Sequence, residues 1–205
     1  GSGGGAFSDF FSQIFGGMGG SRAGSGFQYQ PRPQRGQDFE QPVQITLQEA
    51  FQGTTRVLQR ENQRLEVKIP AGAKTGTRVR MRGEGGGSST GGAAGDLFLR
   101  VTVLPDARFE RRGDDLHVTV PVDLYTMALG GEVRVPTMAG DLVLTIPAGT
   151  QNGRTFRLRG KGMPSLREPT EMGVIYAQVE DELPSKFSPH QRELFEQLRG
   201  DSGSG

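Results

Sequence analysis

The sequence predicts an all-β chain: two tandem, homologous, β-sandwich-like domains, with a glycine-rich segment before them and one short helix after them. Three observations carry this. Apolar and polar residues alternate through most of residues 38–184, as in Leu97, Leu99, Val101 and Val103. Period two of this kind marks strands buried on one face. Glycine and proline cut the alternation into short runs. Finally, a long motif occurs twice: Ile69-Pro-Ala-Gly-Ala-Lys-Thr-Gly-Thr-Arg-Val-Arg-Met-Arg-Gly-Glu-Gly85 returns 77 residues later as Ile146-Pro-Ala-Gly-Thr-Gln-Asn-Gly-Arg-Thr-Phe-Arg-Leu-Arg-Gly-Lys-Gly162.

The elements follow in order. Residues 1–37 interleave glycine with Phe7, Phe10, Phe11, Phe15 and Phe27. Such a segment buries too little to offset its ordering entropy, so it is expected to be a flexible linker, with at most a helical turn at 8–15 that forms against a partner. Val43, Ile45 and Leu47 open the first domain, 38–110. Leu58 and Leu65 flank a short hairpin, and Gly83 to Gly92 is expected to be a long flexible hairpin loop. The repeat offset pairs Leu47 with Leu124, Gly53 with Gly130 and Leu65 with Leu142, which defines a second domain at 111–184. At about 75 residues each, both are near the lower limit for a single core. Ser188 and Pro189 then read as the N-cap and first residue of a helix at 185–199, with Leu194, Phe195 and Leu198 as its apolar stripe; 200–205 is a tail.

Composition narrows the function. Lys plus Arg is 24 and Asp plus Glu is 23, a net charge of +1 that creates no field for nucleic acid or an anionic membrane. With no cysteine there is no disulfide, thiolate metal site or Cys nucleophile. No apolar run approaches a membrane span. His117 alternates with Leu116 and Val118 and reads as an outward strand residue, not a catalytic base. Asp114-Asp115 and Glu180-Asp181-Glu182 read as solvated strand ends, not metal ligands. The glycines at 83–87 precede a strand and not a helix, which argues against a phosphate cradle. No cofactor and no enzyme activity is expected. Arg78, Arg80 and Arg82 share one strand face, echoed by Arg157 and Arg159. A solvated face, a basic strip that meets acidic groups of a partner chain, and a nucleic-acid surface all remain open. Charge balance and the lack of interleaved aromatics count against the last.

Taken together, Asp9-Phe-Phe-Ser-Gln-Ile-Phe-Gly-Gly-Met-Gly-Gly20, Ile45-Thr-Leu-Gln-Glu-Ala-Phe-Gln-Gly-Thr-Thr55, the two Ile-Pro-Ala-Gly motifs, Gly113-Asp-Asp-Leu116 and Ala128-Leu-Gly-Gly131 resemble the DnaJ-type co-chaperones. The first looks like their Gly/Phe linker and the rest like their paired C-terminal domains. The resemblance covers about residues 6–199. No counterpart of the J-domain and its His-Pro-Asp tripeptide is present, which implies no stimulation of a partner's ATP hydrolysis by this chain. No Cys-rich insertion interrupts 58–65, so the chain is similar to the zinc-free class B, or to the curved-DNA-binding protein A branch.

The resemblance implies a cytoplasmic, stress-related protein that holds unfolded polypeptides for a DnaK-type chaperone, with a DNA-associated protein as the alternative. Clients would add a strand at the edge after Gly53, with Val43, Ile45 and Leu58 lining a pocket and Arg56 flanking it. Ile45 is equally readable as core. Lys68 and Arg78, with Arg56, would meet an acidic tail of the chaperone partner. The terminal helix, through Leu194, Phe195 and Leu198, would join two copies into a homodimer that holds one client at two points.

Overall fold

A computed structural model describes residues 33–60 and 63–202 and shows a mostly β chain with a helix at its end. The expected helical turn at 8–15 lies outside the described residues. The first half comprises β1 (Phe39–Ile45), α1 (Leu47–Gln52), β2 (Thr54–Arg60), β3 (Gln63–Ile69), β4 (Arg78–Met81) and β5 (Leu97–Val103). The second comprises β6 (Glu110–Arg112), β7 (Asp115–Asp123), α2 (Leu124–Leu129), β8 (Gly131–Val135), β9 (Leu142–Ile146), β10 (Thr155–Pro164) and β11 (Met172–Glu182), and α3 (Pro189–Ser202) follows.

The sheets repeat. In the first half the order is β1-β5-β4, with β2-β3 as a separate hairpin; in the second it is β10-β11-β7-β6, with β8-β9 as the hairpin. β1–β5 and β7–β11 are the parallel pairs. Inward residues Ile45, Ile69, Val101, Leu116, Val120, Ile146, Ile175 and Val179 are fully buried in a core shared by both halves. A smaller cluster, Val67, Leu97 and Leu99, lies under the first hairpin.

Leu47 departs from the expected strand alternation, because a helical turn starts there. Thr46 accepts from the Glu49 amide at 3.1 Å and its own amide donates to Glu49 at 2.8 Å, a closed capping box. Leu47 stays buried, on the helix. Asp123 caps α2 in the same place of the repeat, accepting from the Thr126 amide at 3.0 Å. Both helices stop at a glycine of positive φ, Gly53 at 77° and Gly130 at 83°.

Residues 33–37 are not free linker. The Gly36 amide donates to Ala93 O at 2.8 Å, the Gln34 amide to Thr90 Oγ1 at 2.8 Å and the Gly86 amide to Gln37 O at 2.7 Å. The loop expected to be flexible is thereby held by a strap. Its glycines serve close approach: a Cβ on Gly95 would lie 2.0 Å from Gln37 O. The second half repeats the device, where Asp114 O accepts from Met163 at 2.8 Å and sits 2.0 Å from a Cβ on Gly173.

Asp96 locks the strap. Its side chain is 4% exposed, accepts from the Gly83 amide at 2.9 Å and Arg80 Nε at 2.6 Å, and pairs with Arg35 at 2.7 Å. The Gly83 bond first, and the two guanidiniums after it, hold its pKa down at about 2. A depressed carboxylate stabilises the fold fully above its unfolded pKa and loses that contribution as pH falls through the folded value. Asp96→Asn is therefore expected to lower the urea midpoint by a constant amount from pH 7 to about 4, with the gap to the parent closing between about pH 4 and about 2. A gap that persists unchanged at the low end would show that the charge is not what holds the strap.

The halves meet at an arginine. Arg111, with a side chain 12% exposed, donates to Ala73 O at 2.7 Å, Gly72 O at 3.1 Å and Gly113 O at 2.8 Å. Burial pulls its pKa below the usual arginine value and Asp114 opposes this. Lys74 reaches Asp114 at 3.0 Å and Gln48 Nε2 reaches Met138 O at 3.3 Å across the same joint.

Candidate functional site

The three-stranded sheet and the β2–β3 hairpin of the first half enclose a wedge. At its base lie Val67, Leu97 and Leu99, with 0–4% exposure; at its mouth lie the half-buried Val43, Leu58, Leu65, Val79 and Met81. β2 pairs only with β3, in register from Thr54↔Ile69 to Arg60↔Gln63. Among the described residues its other edge has no backbone partner. Thr54–Arg60 contains neither proline nor glycine, so every residue there offers a full pair of backbone groups.

β1 is also an edge strand, but a guarded one. Phe39 and Ile45 direct their backbone groups toward the β5 side, to Asp96 and Leu104, whereas Gln44 O turns outward to Arg56. Alternation therefore sets Pro42 on the outer edge with Gln44, where the missing N–H interrupts any added ladder. Pro121 occupies the outer edge of β7 in the same way, beyond the three residues that β6 covers.

The residues singled out from sequence divide. Val43 and Leu58 meet at the wedge. Ile45 does not line it: at 1% exposure it belongs to the main core, because β1 descends from the wedge into the joint along its length. Arg56 lies beside the wedge but is engaged, 2.8 Å from Glu49 and 3.3 Å from Gln44 O. Glu49 in turn is held below the usual carboxylate range by the Thr46 amide and then by Arg56; this ion pair joins α1 to β2, and the Arg56 bond to Gln44 O adds β1. Lys68 is exposed on the outer face of β3. Arg78 is 3.5 Å from Glu40 and stacks over Phe98 at 4.5 Å. On α3, Phe195 packs edge-on to Phe187 at 4.9 Å and faces Tyr125 of α2 at 6.3 Å, while Leu194 and Leu198 are 45% and 61% exposed. Ser188 caps that helix, accepting from Gln191 at 3.1 Å.

Residues 39–184 match the family described as DnaJ C terminal domain. The chain belongs to the DnaJ C-terminal domain family. It is 49% identical over 144 residues to the chaperone protein DnaJ of Acidithiobacillus ferrooxidans, 70% of this chain and 38% of that protein. The corresponding protein of Burkholderia pseudomallei is 47% identical over 146 residues, 71% of this chain and 39% of that protein. That of Leptothrix cholodnii is 48% identical over 134 residues, covering 65% and 34%. The chain thus spans less than two fifths of the length of these relatives. No helix among the described residues is long and apolar enough to cross a membrane.

Within the DnaJ-type wedge, Leu65 and Met81 are members that the sequence alone does not single out. Leu65 is legible as the partner of Leu58 once the hairpin is drawn, since the two are in register. Met81 becomes visible only when β4 is placed against β5.

Proposed function

We propose that the chain holds unfolded polypeptides by strand addition at the free edge of β2, with a client's apolar side chain entering the wedge between Leu58 and Val43. The observation that supports this most is the pairing of an open, proline-free edge with a half-buried apolar mouth, while the neighbouring β1 edge is closed by Pro42. Main-chain bonds are indifferent to client sequence, which suits a chaperone. Each contributes about 0.5–1.5 kcal/mol net, and one buried Leu-sized side chain about 1.5–3 kcal/mol, so one site binds weakly. A homodimer through Leu194 and Leu198 of α3, with Phe195 bracing the helix on α2, would add a second site and raise the effective concentration. Release is to a DnaK-type chaperone, whose acidic tail would meet Lys68 and compete with Glu40 for Arg78. The setting is cytoplasmic. The DNA-associated alternative is less well supported, because Arg78, Arg80 and Arg100 are each engaged with Glu40 or Asp96 within the chain.

An NMR titration with an unfolded client segment tests the reading. Shifts are expected along 43–60 and at Met81 and Leu65. Leu58→Asp should weaken binding about 10- to 100-fold, the loss of one buried apolar side chain. Shifts confined to the second half, or an unchanged affinity in the variant, would move the client elsewhere.

A further inference from the structure

The outer faces of the two sheets carry the same framework with different charges. In the first half Arg80 is paired with Asp96, Arg78 lies 3.5 Å from Glu40, and Arg100 lies 3.6 Å from Glu40. The repeat sets Arg157 and Arg159 where Arg80 and Arg82 stand, Tyr176 where Phe98 stands, and Gln178 where Arg100 stands. It replaces Glu40 by His117 and Asp96 by Val174. Both acids are gone and two guanidiniums remain. Arg157 and Arg159 are exposed, and among the described residues neither has a carboxylate within ion-pair distance.

The vacated face is built up by rings. Arg157, Tyr176 and His117 are neighbours across β10, β11 and β7. The guanidinium lies 5.6 Å from the tyrosine ring centre, and the imidazole stacks on that ring at 4.9 Å and 15°. Glu110, which faces His117 across β6 and β7, accepts two bonds from Arg112 at 2.9 and 3.0 Å. With Thr119, Thr155 and Gln178, the ring pair walls a cleft of about 1100 Å³ between the halves. On the cleft's other wall, Arg108 stacks over Phe109 at 5.1 Å and lies 3.9 Å from Asp106, too far for a tight pair.

We propose that this cleft and the β10–β11–β7 sheet face beside it bind an acidic, extended segment of another polypeptide, at a site separate from the β2 edge. Its carboxylates meet Arg108 in the cleft and Arg157 and Arg159 on the sheet face beside it, outside the lining; an apolar side chain lies against the His117–Tyr176 stack, and Thr119, Thr155 and Gln178 bond its main chain. The volume exceeds that of ordinary small-ligand pockets, about 300–1,000 Å³, and suits several residues of chain. Sparse charge in the ligand is required, since Glu110, Asp115 and Glu180 share this sheet face; a nucleic acid would bring a phosphate against each of them. The two halves would then differ in role, because Arg78, Arg80 and Arg100 are engaged with carboxylates in the first half, whereas Arg157 and Arg159 are left unpaired among the described residues of the second.

The test is fluorescence anisotropy with a labelled peptide of about eight residues alternating Glu or Asp with Leu or Phe, the peptide size that the cleft suits. A peptide with Lys for each acid and an oligo-dT of equal length serve as competitors. The acidic peptide is expected to bind at about 0.05 M salt and weaken markedly at about 0.5 M, as exposed charges are screened. Arg157→Glu with Arg159→Glu should weaken it at least about tenfold and give the lysine peptide a corresponding gain. Leu58→Asp should leave it unchanged, which separates this site from the client edge. An affinity indifferent to the double charge reversal, or an oligonucleotide that binds while the peptide does not, would overturn the proposal. Tyr176→Leu keeps the strand and removes the stack; undiminished peptide binding in that variant would also overturn it.

Discussion

Gly173→Ala is expected to lower the melting temperature by roughly 6–12 °C, the equivalent of about 3 kcal/mol in a domain of this size. A Cβ at Gly173 would stand 2.0 Å from Asp114 O, 2.5 Å from Asp114 C and 2.9 Å from Asp115 Oδ1. None of these can retreat cheaply. Asp114 O already accepts from Met163, and Asp115 Oδ1 accepts from the Val174 amide at 2.7 Å. The obstacle is backbone on an ordered turn, so the cost falls at the upper end of the overpacking range of about 1–3 kcal/mol. Gly95→Ala, whose Cβ would meet Gln37 O at the same distance, should behave alike. Gly87→Ala, with nothing within 4 Å and no positive φ, is the control and should be nearly neutral. Calorimetry of the three variants decides it: equal melting points for Gly173→Ala and Gly87→Ala would mean the clamp is not tight.

Arg111→Met should cost about 2–4 kcal/mol, because buried carbonyls left without a donor cost about 1–3 kcal/mol each. Methionine fills the volume and supplies none of the three N–H groups that reach Ala73, Gly72 and Gly113. Arg111→Lys keeps the charge but not the planar fork, and should recover only part of the loss. Urea denaturation measures the magnitude. Small-angle scattering adds a separate reading: the methionine variant should show a wider spread of overall dimensions, as the joint between the halves loosens. A variant as stable and as narrow in shape as the parent would remove Arg111 from the joint.

Sequence and structure agree where neighbours along the chain decide the outcome. The repeat is legible because Ile69 and Ile146 carry the same Pro-Ala-Gly turn, and strands are legible because Val101 and Val103 or Val118 and Val120 keep strict alternation. What escapes depends on distant partners. Val43 and Ile45 have the same parity, yet only Ile45 is core, since depth along β1 is set by where the second half docks. Arg78 and Arg80 read as one cationic strip, but their partners come from 38 and 16 residues away. Arg111 stands beside exposed Arg112 in sequence and has the opposite fate. The loop at 83–92 reads as flexible because glycine usually signals freedom; here glycine is required for the closeness of two backbones. Leu47 differs for a local reason that the sequence does carry, since Thr46 and Glu49 have capping-box spacing.

The strap at residues 33–37 determines how the chain carries mechanical load. Tension applied at residue 33 does not reach β1 directly. It first meets Gln34, Arg35 and Gly36, fastened sideways to Thr90, Asp96 and Ala93. Those few links must give way before the β1–β5 ladder begins to peel. The strap is therefore a sacrificial fuse: a pull at residue 33 is taken up by residues 34–36, while the β2 edge and its wedge keep their shape.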